Sequence, residues 1–549
     1  MAIPQQGATS KSSSTQYDAI IVGAGVAGLY QLHTLRQAGF SVRLLEAGTG
    51  VGGTWYWNRY PGARFDSESY TYQYSFSEEL LAEWNWKEHF SAQPETLRYL
   101  NFVADKLSLR EDIQFSTRVK ATLFNELTNR WGIETDAGEH FDAHYLITAT
   151  GILSALQMPA IEGIDSFKGQ SFHTARWPHD PSGWGGDKTV YEGKCVAIIG
   201  SGATAVQLIP YLGEGARELY VFQRTANWAS PLCNAEIRDE EQTALKARYQ
   251  EIFDTCDKTA GAFMHEFDPR SIFDVSEEER EAQFERLYNE PGFAIWLANF
   301  HDIMTDMSAN NLISEFMAKK IRDRVNDPQV ADKLIPSHHG FGQRRVPMET
   351  NYYETYNRDN VALIDINDTP IERITSTGIR TTDRDYEVDL IIYATGFDAG
   401  TGAMRRIDIR GVGGQTIQDK WSQALRTYMG VQIEGFPNLF THDGPHAAFC
   451  NIPRCAQVTV DWVTQLMCHM RDKGLARVMA TEAAEVAWTK HAVEQANKTL
   501  LSKTKSWIMG DNVEGKPRDL LLYAGPAPLY RKKLWDSAAN NYAGFTFDQ

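Results

Sequence analysis

The sequence predicts an α/β protein in which two Rossmann-like dinucleotide-binding domains are interleaved along the chain and carry a helical insertion. Three observations predict it. A short apolar run, a glycine-rich turn and a helix-period segment occur in that order from Tyr17, and the same order recurs from Cys195. Two further apolar runs both stop at Ala-Thr-Gly, at 149–151 and 394–396. From 235 to about 330 the chain changes character, with Glu, Arg and Gln at helical spacing between aromatic residues.

Each element follows in order. Met1 to Gln16 is rich in Ser, Thr and Gln and predicts a floppy tail. Tyr17–Val22 is apolar and β-branched at its end, which predicts a buried parallel strand. Gly23-Ala24-Gly25-Val26-Ala27-Gly28 follows, then a helix with Leu29, Leu32 and Leu35 on one face that stops at Gly39. The next strand, Phe40–Leu45, ends at Glu46. This is a complete βαβ unit. The second unit runs from strand Cys195–Ile199 through Gly200-Ser201-Gly202-Ala203-Thr204-Ala205 and a helix to strand Leu219–Phe222. Pro210 is expected to kink or shorten that helix. Ser276 to Arg280, with Phe284, Tyr288, Phe293 and Trp296, belongs to the insertion. The expected order is therefore a tail (1–16), a first FAD-domain part (17–150), a linker with a first NADPH-domain part (151–234), the insertion (235–335), a second NADPH-domain part (336–388), and a second FAD-domain part with the C-terminal region (389–549).

Composition excludes several classes. At 549 residues, 42% hydrophobic and 23% charged, the chain is neither disordered, collagenous nor a coiled coil. No apolar run approaches the roughly 18 residues of a membrane helix, and the N-terminus has no secretory apolar core. A net charge of −17 disfavours nucleic acid and anionic membrane, because phosphate recognition needs clustered cations. Six cysteines without a Cys-x-x-Cys pair point to a reducing, cytoplasmic setting and away from a zinc module or disulfide scaffold. No metal is expected, and the chain is expected to be a monomer or weak oligomer.

Glycines in each turn let backbone N–H groups approach a pyrophosphate at a helix N-terminus. Gly23, Gly25 and Gly28 form the first such cradle; Gly200, Ser201, Gly202 and Thr204 form the second. The residue ending the following strand selects the nucleotide. Glu46 accepts bonds from an unsubstituted ribose, as in FAD or NAD. At the equivalent point of the second unit stand Gln223, Arg224 and Thr225. A cation with no acid there suits a 2′-phosphate, hence NADPH. A solvated strand end for Glu46 and a surface ion pair for Arg224 are the alternative readings. Two dinucleotide sites in one chain imply hydride transfer between cofactors, from NADPH to flavin.

Two stretches are more specific: Gly52-Gly53-Thr54-Trp55-Tyr56-Trp57-Asn58-Arg59-Tyr60-Pro61-Gly62-Ala63-Arg64-Phe65-Asp66, and Phe167-Lys168-Gly169-Gln170-Ser171-Phe172-His173-Thr174-Ala175-Arg176-Trp177-Pro178. Together they resemble the type I Baeyer–Villiger monooxygenases, the family of phenylacetone, cyclohexanone and steroid monooxygenases, from about Tyr17 to Trp507. The resemblance implies that NADPH reduces FAD, that O2 adds to give a C4a-peroxide, and that the peroxide attacks a ketone whose adduct rearranges to an ester or lactone. It places the catalytic Arg at Arg345 and a neighbouring NADP-contacting cation at Arg344, within Gly342 to Glu354, although Val346-Pro347-Met348 departs from the pattern. A permanent cation stabilises both the peroxide and the adduct oxyanion. By the same resemblance Asp66 orients Arg345, Thr54, Trp55 and Tyr72 belong to the flavin site, and the Trp507 indole meets the nicotinamide nucleotide. Phe167, Gly169, His173, Trp177 and Pro178 are expected to be conformational rather than chemical residues. A helix N-cap is the alternative for Asp66, and core packing for Trp55, Tyr72 and Trp507.

Gly444 to Pro453 resembles the substrate-side loop of the cyclohexanone type. Cys450 and Cys455 stand at Cys-x4-Cys spacing, but far from the flavin fingerprint, which argues against redox use. The substrates expected are a ketone and O2. An N- or S-oxygenating flavin monooxygenase is the alternative function.

Overall fold

The computed structural model describes residues 15–448 and 450–549. Strand β1 (Thr15–Val22) delivers the first glycine turn, and its last four residues are buried. Thr15 pairs with Phe141 and Gln16 with Asp142, so the expected tail gives up two residues to the sheet; its remaining residues lie outside those described. β1 is flanked by β2 (Val42–Leu45), β3 (Ile113–Gln114) and the meander β4 (Val119–Asn125), β5 (Arg130–Thr135) and β6 (His140–Thr148). Helix Val26–Gln37 buries Leu29, Leu32 and Leu35, the face expected from their spacing.

The second sheet takes β7 (Gln170–His173), β8 (Cys195–Ile199) and β9 (Glu218–Gln223). Helix Ala203–Gly215 between the last two runs unbroken across Pro210. The expected shortening does not occur. Proline removes one helical amide donor, and the buried face of Val206, Leu208, Ile209 and Leu212 holds the helix together. A small parallel pair, β10 (Ser230–Pro231) with β11 (Met348–Glu349), brackets the insertion. β12 (Val361–Asp365), the antiparallel β13 (Ile371–Ile374), β14 (Gly378–Thr381) and β15 (Asp385–Glu387), and then β16 (Leu390–Tyr393) follow. The second sheet has the order β12-β9-β8-β16-β7 and is parallel throughout. Two expectations change here. The boundary at 388/389 moves past Gly396, because β16 pairs with β8 and β7 rather than with the first sheet. The motif from Phe167 to Pro178 is less a linker than expected, since its middle is an edge strand of the second sheet.

The chain then returns to the first sheet. β17 (Asp408–Arg410) pairs with β4, and β18 (Leu439–Thr441) pairs with the end of β6. The insertion is helical as expected, chiefly Asp239–Ala247, Tyr249–Cys256, Glu277–Tyr288, Met307–Arg324 and Pro328–Leu334. Ser276, Asp306 and Asp327 cap three of these with their side chains, each accepting first-turn amides. Phe284, Phe293 and Trp296 are buried in its core.

The same kind of close contact recurs within each domain. Gly23 (φ +108°) presses on the Ala149 carbonyl and Gly200 (φ +116°) on the Ala394 carbonyl; an added Cβ would lie 2.5 and 2.4 Å from those oxygens. Each fingerprint therefore packs on the first residue of its own Ala-Thr-Gly, which accounts for the repeated motif. Gly200→Ala is expected to cost about 1–3 kcal/mol in chemical denaturation. Gly202→Ala, where a Cβ meets nothing within 4 Å, is expected to leave stability nearly unchanged.

Candidate active site

The strand ends, the insertion and the C-terminal region enclose one cavity of about 2220 Å³. It is lined by Gly23, Gly25, Glu46, Thr54, Trp55, Asp66 and Tyr72 on one side, and by Gly200, Ser201, Gly202, Thr204, Arg224 and Thr225 on the other. Arg344, Arg345 and Trp507 line it as well. Gly28 does not. Its α-carbon packs on the turn itself, where a Cβ would meet the Gly23 carbonyl at 1.9 Å. Phe167, Gly169, His173, Trp177 and Pro178 are also absent from the lining.

The centre of the cavity is an ion pair. Arg345 Nη2 lies 2.6 Å from Asp66 Oδ2, with the Asp66 side chain wholly buried and that of Arg345 28% exposed. Burial raises the Asp66 carboxyl above its usual range, and Arg345 pulls it back down. The Met348 amide (3.4 Å) and Gln207 Nε2 (3.4 Å) also donate to it. Asp66 is not a helix cap: the short turn Ser69–Thr71 begins at Glu68 with no side-chain cap. Gln207, on the second fingerprint helix, ties that helix to Arg64 and Asp66 of the first domain and accepts from the Tyr60 hydroxyl at 2.8 Å. The sequence offered only one signal for it, a polar residue in an otherwise apolar helical run.

The loop carrying Arg345 is held from three sides. Gln343 donates to Asn310 of the insertion and accepts from Thr504, three residues before Trp507. Arg324 pairs with Glu349 at 2.7 Å and bidentately with Glu354 at 2.6 and 2.7 Å. Val346 and Met348, the departure from the expected pattern, are buried and lead into β11.

Both dinucleotide cradles fit their expected occupants. The Gly25 and Gly202 positions open toward the cavity, where a Cβ would meet no atom closer than 3.5 Å. Glu46 accepts from the Ala24 amide at 2.7 Å and the Gly48 amide at 2.6 Å, which ties the strand end to the turn. Ser201 donates to the Thr225 carbonyl at 2.8 Å. Gln223 is buried and donates to the Lys333 carbonyl, so Arg224, which is exposed, is the polar group free to meet a ligand at that strand end. Burial lowers the Arg344 guanidinium, and Arg224 lowers it further. Its Nε is buried without a hydrogen-bond partner among the described residues. Two neighbouring cations, one with an orphaned donor, make an anion site. Trp55 Nε1 donates to the Tyr72 hydroxyl at 3.2 Å, and both rings pack on Phe65.

His173 is structural. Its Nδ1 accepts from the Ala175 amide at 3.1 Å, so the proton lies on Nε2, which donates to the Gly396 carbonyl at 3.0 Å. Burial lowers this imidazole to about 4, so it is neutral at physiological pH. Trp177, itself buried, donates its Nε1–H to the Asp187 carbonyl at 2.9 Å. Cys450 and Cys455 lie close together, with Cα atoms 6.5 Å apart, at the start of helix Ile452–Lys473.

Comparison with known proteins assigns the chain. Residues 17–250 match the pyridine nucleotide-disulphide oxidoreductase family model. The chain is 47% identical to 2-oxo-Delta(3)-4,5,5-trimethylcyclopentenylacetyl-CoA monooxygenase of Pseudomonas putida, over 98% of this chain and 99% of that one. It is 45% identical to an acetone monooxygenase (methyl acetate-forming) of Gordonia sp. strain TY-5, over 97% and 99%. A Baeyer–Villiger monooxygenase of Pseudooceanicola batsensis is 39% identical over 99% and 98%. The chain belongs to the Baeyer–Villiger monooxygenase family. The crystal structure of OTEMO complexed with FAD and NADP superposes with a TM-score of 0.94 at 47% identity, covering 97% of this chain and all of that one. In this Baeyer–Villiger monooxygenase the buried carboxylate of Asp66 and the guanidinium of Arg345 come from different domains. Among the described residues no helix is long and apolar enough to cross a membrane, and no cluster of ligands suits a metal.

Removing Arg345 leaves Asp66 buried without its ion-pair partner, with only the more weakly acting Arg64 nearby. Arg345→Ala is expected to destabilise the fold by about 3 kcal/mol at pH 8. Asp66 then titrates higher still, and protonation removes the need for a cation, so the deficit is expected to shrink as pH falls through that raised value. Urea unfolding at pH 8 and pH 5.5 reads the effect; equal deficits at both would contradict it.

Proposed function

We propose that the protein uses NADPH and O2 to convert ketones to esters or lactones, with FAD in the first cradle and NADPH in the second. The observation that carries this reading is Arg345, held by wholly buried Asp66 in the cavity that joins the two cradles. Bound FAD supplies the activation of dioxygen, and bound NADPH supplies the electrons.

The chain's own residues do the rest. Gly23, Gly25 and Gly28 shape the turn that presents amides to the FAD pyrophosphate, and Glu46 stands at the adenosine end. Gly200, Ser201, Gly202 and Thr204 do the same for NADPH. Arg224 and Arg344 take its 2′-phosphate side, with Thr225 beside them, and Trp507 closes on the nicotinamide end. Thr54, Trp55 and Tyr72 wall the flavin. Arg345 places a fixed positive charge where negative charge develops on oxygen, both on the attacking group and on the ketone oxygen. Asp66 holds the guanidinium in that orientation. Phe263, Phe293, Trp296 and Leu297 of the insertion give the cavity an apolar wall against which a ketone's carbon skeleton packs and water is excluded. Within the second domain, His173 of the motif from Phe167 to Pro178 ties the edge strand β7 to the second Ala-Thr-Gly.

Arg345→Ala is expected to retain reduction of FAD by NADPH while ester formation falls at least about 100-fold. Full ester formation by this variant overturns the proposal. Ketone and sulfide offered side by side separate this activity from N- or S-oxygenation, which yields no ester. Arg224→Ala is expected to weaken NADPH at least about tenfold and NADH much less, read in KM for each donor.

A further inference from the structure

Cys450 and Cys455 have no place in the activity described so far. Asn451 is the N-cap of helix Ile452–Lys473, so Cys450 stands one residue before the cap and Cys455 four after it. Side chains at those two positions pack on each other at many helix starts, and here both are buried. The Cα atoms are 6.5 Å apart, inside the roughly 4.4–6.8 Å that a disulfide spans. The other four cysteines, Cys195, Cys233, Cys256 and Cys468, are free. The chain therefore holds one pair that can close on itself.

Position separates the two members. Cys450, with Asn451 and Ile452, lines the cavity that also holds Arg345, Trp55 and Tyr72; Cys455 does not. A small oxidant in the cavity therefore meets Cys450 first, with Cys455 behind it. The start of a helix is electropositive, the setting in which a cysteine reacts as its thiolate. Elsewhere burial works against that form. It pushes the Cys195 thiol up to about 11 and the Cys256 thiol up to about 12, and it raises Cys233 as well. The backbone around the pair is held on both sides. The Asn451 amide donates to the Gly261 carbonyl of the insertion at 3.0 Å, and Asn451 Nδ2 donates to the Thr71 hydroxyl at 3.0 Å. The Tyr523 amide donates to the Ala447 carbonyl at 2.8 Å. At this Cα separation the two sulfurs bond without rearranging the loop.

We propose that Cys450 and Cys455 are a peroxide-responsive thiol pair, in which Cys450 is oxidised from the cavity and Cys455 resolves it as a reversible disulfide. The Cys450 thiolate attacks one oxygen of hydrogen peroxide; an S–O bond forms, the O–O bond breaks and hydroxide leaves, giving a sulfenic acid. The Cys455 sulfur then attacks the Cys450 sulfur; the S–S bond forms, the S–O bond breaks and the hydroxyl leaves as water with the Cys455 proton. Two thiols lose two electrons and two protons, and one hydrogen peroxide becomes two waters. Without Cys455 the sulfenic acid goes on to sulfinic and sulfonic acids, which thiols do not reverse and which set a permanent anion in the cavity wall. The test supplies peroxide directly, so its failure leaves the activity proposed above standing. Holoenzyme reduced with dithiothreitol is freed of it, treated with hydrogen peroxide, alkylated and mapped by peptide mass. The disulfide between Cys450 and Cys455 is expected to form before any other cysteine is oxidised, and dithiothreitol to restore both thiols. This readout needs no variant and holds whatever the substrate. Cys455→Ser is expected to collect sulfinic or sulfonic acid at Cys450 and to lose ketone conversion at least tenfold, without recovery in dithiothreitol. Oxidation of Cys233 ahead of Cys450 in the wild-type chain, or full recovery of peroxide-treated Cys455→Ser, overturns the proposal.

Discussion

A carboxylate sealed from water keeps its charge only beside a cation, and this constraint organises the molecule. Asp66 comes from the segment after the first fingerprint, and Arg345 from the loop between the insertion and the rest of the second domain. Their contact at 2.6 Å therefore joins the two domains as well as orienting the guanidinium. Gln207 reaches the same carboxylate from the second fingerprint helix. The insertion takes part too, since Asn310 and Arg324 hold the loop from its helix Met307–Arg324. The cation is fixed because three parts of the chain hold it or its loop at once.

The two domains repeat one solution. In each, a glycine at positive φ lets the fingerprint turn sit directly on the alanine carbonyl that ends a neighbouring strand. That contact fixes the turn relative to the sheet and leaves its amides facing the cavity. The domains diverge at the next strand end. Glu46 turns its carboxylate back on the first turn, while Arg224 leaves the second open to an anion. Within the second domain His173 donates to Gly396, so a shift of the edge strand β7 moves the end of β16 with it.

What was legible in the sequence was local. A strand, a glycine turn and a helix are written in some thirty consecutive residues, and both units were readable with their strand ends and buried helix faces. Asp66 and Arg345 stand far apart in the chain, and no periodicity connects them; only resemblance to a family paired them. Gln207 and Arg324 escaped because a polar side chain does not announce a partner in another domain. The membership of β16 and β7 in one sheet, the unbroken helix across Pro210 and the approach of Cys450 to Cys455 were likewise decided by packing. Propensity rules carry no information about those tertiary partners.

The central claim is that Asp66 and Arg345 act as one unit on the oxygen-transfer step. A double-mutant cycle of Asp66→Asn and Arg345→Lys, scored on ketone conversion with NADPH-driven flavin reduction measured alongside, tests it most directly. The account gives a coupling energy of about 2 kcal/mol on conversion and almost none on reduction. Effects on conversion that add to within about 0.5 kcal/mol would contradict it.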